Sequence, residues 1–154
     1  SSKNFKSSLE ISAYSFIDMA KKAEPLMKDG GTLITLTYQG SRKATPWYNV
    51  MGVAKAALES AVVYLANDLG PQKIRVNAIS PGPMKTLSSA AIGGARKTFR
   101  FTEANTPLRA NATKASIGGT AVYLASDYGE CTTGETIMVD GGLHILGLPQ
   151  PENF

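Results

Sequence analysis

Three short apolar runs, Thr32–Thr37, Ile74–Ser80 and Thr136–Val139, are each preceded by a segment long enough to form a helix. This spacing constrains the fold more than any other feature, because parallel strands need a crossover of about a dozen residues or more. Thr32–Thr37 is rich in β-formers and apolar on both parities, as a strand covered on both faces of a parallel sheet should be. The order α-β-α-β-(flap)-α-β predicts an α/β protein built on a parallel sheet. At 154 residues, with no internal repeat and no linker, the chain reads as one domain.

The helices are legible from periodicity and punctuation. Leu9, Ala13, Phe16, Ala20, Ala23 and Met27 recur at alternating steps of four and three, which predicts an amphipathic helix. Pro25 is expected to kink or end it, and Asp29-Gly30-Gly31 to stop it. A second helix is predicted from about Tyr48 to Asp68, with Val50, Ala54, Ala57, Leu58, Ala61 and Leu65 on one face. Gly70-Pro71 ends that helix, and Pro81-Gly82-Pro83 breaks the strand that follows. Residues 88–105 are weakly patterned around Gly93-Gly94 and read as a mobile helical flap. Thr113 is a candidate N-cap for a helix through Ile117, Ala121 and Leu124.

An open sheet of three strands is small, and its first element is a helix with no strand before it. No Gly-x-Gly-x-x-Gly turn occurs in the sequence, so the element that cradles a pyrophosphate at a helix N-terminus is absent. The first residue is not Met. The expectation is the C-terminal half of a doubly wound domain, with residues 1–154 as one portion, a flap at about 84–109, and the nucleotide-binding half outside this chain. On its own such a half should neither bind a dinucleotide tightly nor turn over.

Composition excludes several classes. The longest stretch without Asp, Glu, Lys or Arg is twelve residues, which predicts no membrane-spanning helix. A lone Cys131 and a lone His144 can build neither a disulfide framework nor a Cys/His zinc site, so no metal is expected. Ser1–Glu10 has no apolar run of the secretory kind, and a reduced, cytoplasmic setting fits. The net charge of +4 lies wholly between Lys85 and Arg109, while basic and acidic residues cancel elsewhere. No aromatic platform accompanies that cluster, which argues against nucleic acid and for either a solvated helix face or a docking patch for an acidic partner.

Tyr48 and Lys55 stand seven residues apart at the start of the Ala-rich helix. Seven helical steps come within about 20° of two full turns, so both would share one face about 10 Å apart, spaced to grip one extended ligand. Tyr38 follows a strand at its C-terminal end, where open α/β sheets place their ligands. On spacing alone, surface tyrosines and a solvated lysine remain the plain alternative. Asn77 and Asp140 read as residues that fix turns at strand ends, Trp47 as packing, Cys131 as a buried or half-buried filler, and His144 as lacking a partner.

The run Thr35-Leu-Thr-Tyr38-Gln-Gly, followed by Tyr48-Asn-Val-Met-Gly-Val-Ala-Lys55-Ala-Ala-Leu-Glu, resembles the enoyl-[acyl-carrier-protein] reductases, a divergent branch of the short-chain dehydrogenase/reductases. Arg75-Val-Asn-Ala-Ile-Ser-Pro-Gly82, Pro83-Met-Lys-Thr-Leu87 and Val139-Asp-Gly-Gly142 agree in order and spacing, so the resemblance covers nearly the whole chain. Its specific mark is Tyr-x6-Lys. The ordinary superfamily pattern, Tyr-x3-Lys, would need tyrosine at position 51, where Met51 stands.

The resemblance implies a Rossmann-type fold and reduction of trans-2-enoyl thioesters on acyl carrier protein with NADH, NADPH not being excluded. Tyr48 would then donate a hydrogen bond to the thioester carbonyl, Lys55 would hold the nicotinamide ribose, and Tyr38 would line the pocket and assist. Met84, Lys85, Thr86, Leu87 and Ser88 would wrap the cofactor, and Met51 and Ile92 would pad the acyl pocket. The family's tetrameric habit would suit the small-residue faces of the Tyr48–Asp68 helix and of the helix through Ala121 and Leu124. Arg96, Lys97 and Arg100 would dock the acidic carrier protein. Gly94-Ala95 departs from relatives that carry an aromatic residue there, which leaves chain-length preference open. The competing readings are a carbonyl-acting short-chain dehydrogenase and a non-catalytic half-domain.

Overall fold

The computed structural model describes residues 1–86 and 94–153. The chain opens with a continuous helix in three pieces: α1 (Ser2–Leu9), a π-helical stretch (Glu10–Tyr14) and α2 (Ser15–Ala23). It buries Ala13, Phe16 and Ala20, three of the positions that the four-and-three stepping singles out. Pro25 sits in a 3-10 turn, Glu24–Leu26, just beyond α2, where its ring and missing N–H stop the α-helical ladder.

Three strands follow, β1 (Gly31–Leu36), β2 (Ile74–Pro81) and β3 (Thr136–Val139), in the spatial order β1-β2-β3 and all parallel. Gly31 pairs with Ile74 and Leu36 with Ile79, while Ala78 pairs with Thr136 and Pro81 with Val139. Helix α3 (Val50–Leu69) makes the first crossover. Helices α4 (Ala95–Asn105) and α5 (Lys114–Ala125) lie in the second. The parallel α/β class expected from the strand spacing is therefore what the chain adopts.

The core forms where alternate β2 residues Ile74, Val76 and Ala78 meet Leu58, Val62, Ala66 and Leu69 of α3, with Ala13 and Phe16 closing one side. Burying each large aliphatic side chain here contributes about 1.5–3 kcal/mol. Asn77 ties β2 to the approach of β3, its Nδ2 donating to Thr132 O (2.8 Å) and its Oδ1 accepting from Glu135 N (3.0 Å). This is the turn-fixing role its position at the strand suggested. Thr113 caps α5 in a reciprocal capping box with Ser116, as its sequence context predicts.

Four sequence expectations need correction. The small-residue stripe of α3 is used inside the domain, since Ala54 and Ala61 are buried and Ala57 and Leu65 pack on the core. The outward residues of α3 are Val53, Val63 and Tyr64, and those of α5 are Val122 and Tyr123, while Leu124 is wholly buried. Cys131 is exposed, not a filler. His144 does have a partner, its Nδ1 lying 3.0 Å from both carboxylate oxygens of Asp140. Finally, the span Val50–Gln72 is long and apolar enough to cross a bilayer by length and composition. The twelve-residue limit overlooked it because spaced charges interrupt the run without making the helix polar. Here that helix packs on β2, and its Lys55 and Glu59 bond to the end of β1 and the loop after it.

Candidate active site

Parallel strands deliver their C-terminal ends to one edge of the sheet, and in open α/β folds ligands bind there. At this edge Thr37 and Tyr38 leave β1, Gly82 to Met84 leave β2, and Asp140 ends β3. A cavity of about 680 Å³ opens at the exits of β1 and β2. Tyr38, Tyr48 and Lys55 all line it, together with Met84 and Thr86 from the loop after β2. Five of the residues singled out from the sequence thus share one wall system.

The way Tyr48 reaches that wall differs from the expectation. Helix α3 begins at Val50, so Tyr48 lies outside it and shares no helix face with Lys55. Trp47 (φ 64°) and Asn49 (φ 43°) flank Tyr48 with positive φ, a conformation that costs non-glycine residues energy and concentrates at functional sites. These two kinks turn the chain into α3 and set the phenol against Tyr38. The two rings meet edge to face, with centroids 5.0 Å apart and planes at 63°.

Burial pushes the Tyr48 phenol up to about 12, with neighbouring Tyr38 adding to the rise. Tyr38 is raised as well, mainly by burial and further by the charge of Asp140, against an opposing hydrogen bond from Gln39. Tyr48 is thus a neutral phenol at neutral pH, able to donate a hydrogen bond. Lys55 donates from Nζ to Leu36 O at 2.8 Å. Burial draws its pKa down, and Glu59, one turn along the helix, works in the other direction. A protonated phenol and a partly desolvated ammonium facing one cavity can polarise a carbonyl and hold vicinal hydroxyls.

Other predicted residues lie elsewhere. Met51 is half-buried but is not on the cavity wall. Lys85 is exposed, its ammonium 4.6 Å from the centroid of the Phe99 ring. Leu87, Ser88 and Ile92 fall outside the described residues. Thr45, Pro46, Thr98, Lys114, Ile117 and Gly118 line the cavity and were not foreseen, because nothing in their local sequence marks them. Trp47, expected to be packing, is mostly exposed, although its ring borders the flap, where a Cβ added at Gly94 would meet it at 2.8 Å. Asp140 fixes a turn, accepting from Gly142 N and His144 N at 2.9 Å each.

A family model described as enoyl-(acyl carrier protein) reductase matches residues 1–144. The chain belongs to the enoyl-(acyl carrier protein) reductase family. Among curated relatives, the enoyl-[acyl-carrier-protein] reductase [NADH] FabI of Rickettsia typhi is 52% identical over 144 residues, covering 94% of this chain and 55% of that protein. The enoyl-[acyl-carrier-protein] reductase [NADH] 2 of Rhizobium meliloti is 50% identical, covering 97% and 56%. The chain thus spans about half the length of the curated relatives it matches.

Solved structures of the family superpose closely. The Anaplasma phagocytophilum reductase in complex with NAD matches with a TM-score of 0.93 and 53% identity, over 97% of this chain and 57% of that one. The Bacillus cereus reductase with NADP+ and an indole naphthyridinone matches with a TM-score of 0.94 and 49% identity, over 96% and 58%. The Rossmann-type expectation for the fold therefore holds.

Proposed function

We propose that this chain is the C-terminal portion of a single Rossmann-type domain with a flap at about 84–109, and that the complete protein reduces trans-2-enoyl thioesters of acyl carrier protein to saturated acyl thioesters with NADH. The observation that carries the reading is the convergence of Tyr48, Tyr38 and Lys55 on one cavity, from a Tyr-x6-Lys sequence that lacks the tyrosine of the carbonyl-reducing pattern. The names of the relatives, which specify NADH and acyl carrier protein, support it.

The donor set fits the nicotinamide-ribose end of a dinucleotide: Lys55 offers N–H donors to ribose hydroxyls, and Met84 and Thr86 line the same cavity. When bound, the dinucleotide supplies the hydride, which goes to the β-carbon of the enoyl group. The Tyr48 hydroxyl donates to the thioester oxygen, where negative charge develops as the double bond is reduced. Its raised pKa keeps that proton in place as a donor. Tyr38 packs edge to face against the Tyr48 ring and so limits its swing. Lys55 adds positive charge near the developing enolate, and a proton taken up from solvent at the α-carbon completes the saturated product.

The charged helix α4 suits the substrate's carrier. Arg96 and Arg100 fall one turn apart on it, with Lys97 beside them, and all three are exposed. We assign this face to an acidic carrier protein, and the exposed Val53, Val63 and Tyr64 of α3 to contacts within a homotetramer. The test uses the full-length protein with NADH and crotonyl thioester, following loss of NADH absorbance and formation of the saturated product. Equimolar NADH loss and butyryl thioester support the reading. Reduction of ketone substrates with no turnover of the enoyl thioester overturns it in favour of a carbonyl reductase.

A further inference from the structure

Glu59 is the acidic residue of α3 that faces the sheet edge, and its side chain is only 12% exposed. A carboxylate so sheltered is costly unless donors surround it. Three do. Oε1 accepts from Thr37 Oγ1 at 2.7 Å and from Ser41 Oγ at 2.5 Å, and Oε2 accepts from Arg42 Nε at 2.9 Å. All three donors lie on the segment that leaves β1 and carries Tyr38. Glu59 itself is absent from the cavity wall, so whatever it does there it does through other residues.

The segment it holds is wedged against the tyrosines. Residues 39–41 form a 3-10 turn closed by Ser41 N donating to Tyr38 O (3.0 Å) and Arg42 N to Gln39 O (2.9 Å). Gly40, in the middle of this turn, has no room for a side chain, because a Cβ there would lie 2.5 Å from Cδ1 of Tyr48 and 3.3 Å from Cδ1 of Tyr38. On its other side the turn presses on α3, since a Cβ at Gly52 would lie 2.5 Å from the Gly40 carbonyl oxygen. Lys55, one helical turn before Glu59, binds Leu36 O. Helix α3 therefore grips the exit of β1 at consecutive residues, Leu36 through Lys55 and Thr37 through Glu59.

We propose that Glu59 is the positioning residue of this site, whose carboxylate clamps the Gln39–Ser41 turn onto α3 and so holds the Tyr48 hydroxyl in its working place beside Tyr38. This rests on the reading that Tyr48 is the donor to the substrate oxygen. A misplacement of about 1 Å can lower turnover about a hundredfold, so a clamp two contacts away from the chemistry has leverage on rate.

The experiment is a double-mutant cycle on the full-length enzyme, with NADH and crotonyl thioester. Glu59→Ala should lower kcat about 10–100-fold while the Kd for NADH, read by fluorescence titration, moves less than about threefold. Glu59→Gln should recover most of the rate, because its amide oxygen still accepts from Thr37 and Ser41. In a Tyr48→Phe background the same Glu59→Ala change should cost less than about threefold, the mark of two residues acting as a unit. If Glu59→Ala does not fold, the pair Thr37→Val with Ser41→Ala removes the two hydroxyl donors and takes its place in the cycle. An equal rate loss in both backgrounds, or a normal kcat for Glu59→Ala, overturns the clamp while leaving Tyr48 as the donor. A normal kcat for Tyr48→Phe alone overturns the functional reading instead.

Discussion

Two walls of the cavity are built in different ways. The wall that runs from Leu36 to Lys55 is cross-linked by side chains far apart in sequence: Glu59, behind it, reaches Thr37, Ser41 and Arg42, and Lys55 reaches Leu36. In the described part of the segment from Met84 to Arg109, several side-chain bonds are local. Thr102 and Asn105 are fully buried, yet their side chains donate one turn back, to Thr98 O and Phe101 O at 2.9 Å each. Among the described residues it is also tied to the rest of the chain, with Gln150 N donating to Asn105 Oδ1, Leu108 N to Gly141 O and Asn111 Nδ2 to Phe99 O, and with Gly94 lying against the Trp47 ring. The lesson is a division of labour. Groups that must hold a geometry are pinned by side-chain bonds across the fold, whereas the buried polar side chains of the helix carrying Arg96, Lys97 and Arg100 donate within that helix.

That contrast breaks if equal insults on the two walls have equal effects. The largest effect is expected from Gly52→Ala on the pinned side. Its new Cβ meets a backbone oxygen that cannot rotate away, so a stability loss of about 1–3 kcal/mol should come with a kcat loss of about a hundredfold through displacement of Tyr48. Thermal unfolding and steady-state kinetics on the full-length enzyme check both. A wild-type rate in this variant would show that the wall yields after all.

Gly94→Ala inserts the same methyl group on the flap side. Here φ is +80°, and the nearest atoms belong to the Trp47 ring, which is 62% exposed and can move. About 1 kcal/mol of strain is expected, with kcat within about threefold of wild type because the tyrosine pair is untouched. A rate loss matching that of Gly52→Ala would erase the distinction between the walls.

Charge reversal at Arg96 and Arg100 to Glu should act smaller still and on association alone. Exposed charges steer encounter and are screened by salt. The KM for carrier-linked substrate should rise several-fold at low ionic strength, while coenzyme-A-linked substrate is unaffected. Equal effects on both substrates would assign the patch to the flap's own structure.

The smallest effect concerns pH. Lys55 loses its proton below the ordinary lysine range because burial disfavours its charge, whereas Tyr48 holds its own up to about 12. Binding of NADH should therefore weaken with rising pH before Tyr48 titrates, and Tyr48→Phe should keep the same alkaline limb. Linkage gives the opposite sign for folding. Between the lowered pKa of Lys55 and its ordinary 10.5 the unfolded chain binds more protons, so this residue's contribution to stability rises with pH there. An alkaline limb that vanishes in Tyr48→Phe would assign the titration to the tyrosine.

The sequence by itself determined the elements and the chemistry-bearing residue types. Strand runs that are apolar on both parities, the Gly and Pro stops, and the Thr113 cap act over a few residues, so local physics decides them. Tyr-x6-Lys was legible for the same reason. Only the tertiary structure decided how those residues meet. Positive φ at Trp47 and Asn49 takes Tyr48 off the helix that periodicity assigned it. Glu59 read as one acidic residue on an apolar helix until the exit of β1 came to lie beside it, although its place four residues after Lys55 was a signal available in the sequence. The Asp140–His144 contact, by contrast, spans only four residues and lay within reach of the local sequence. A hydrogen bond between groups many residues apart depends on where whole elements pack, and no local pattern encodes that distance.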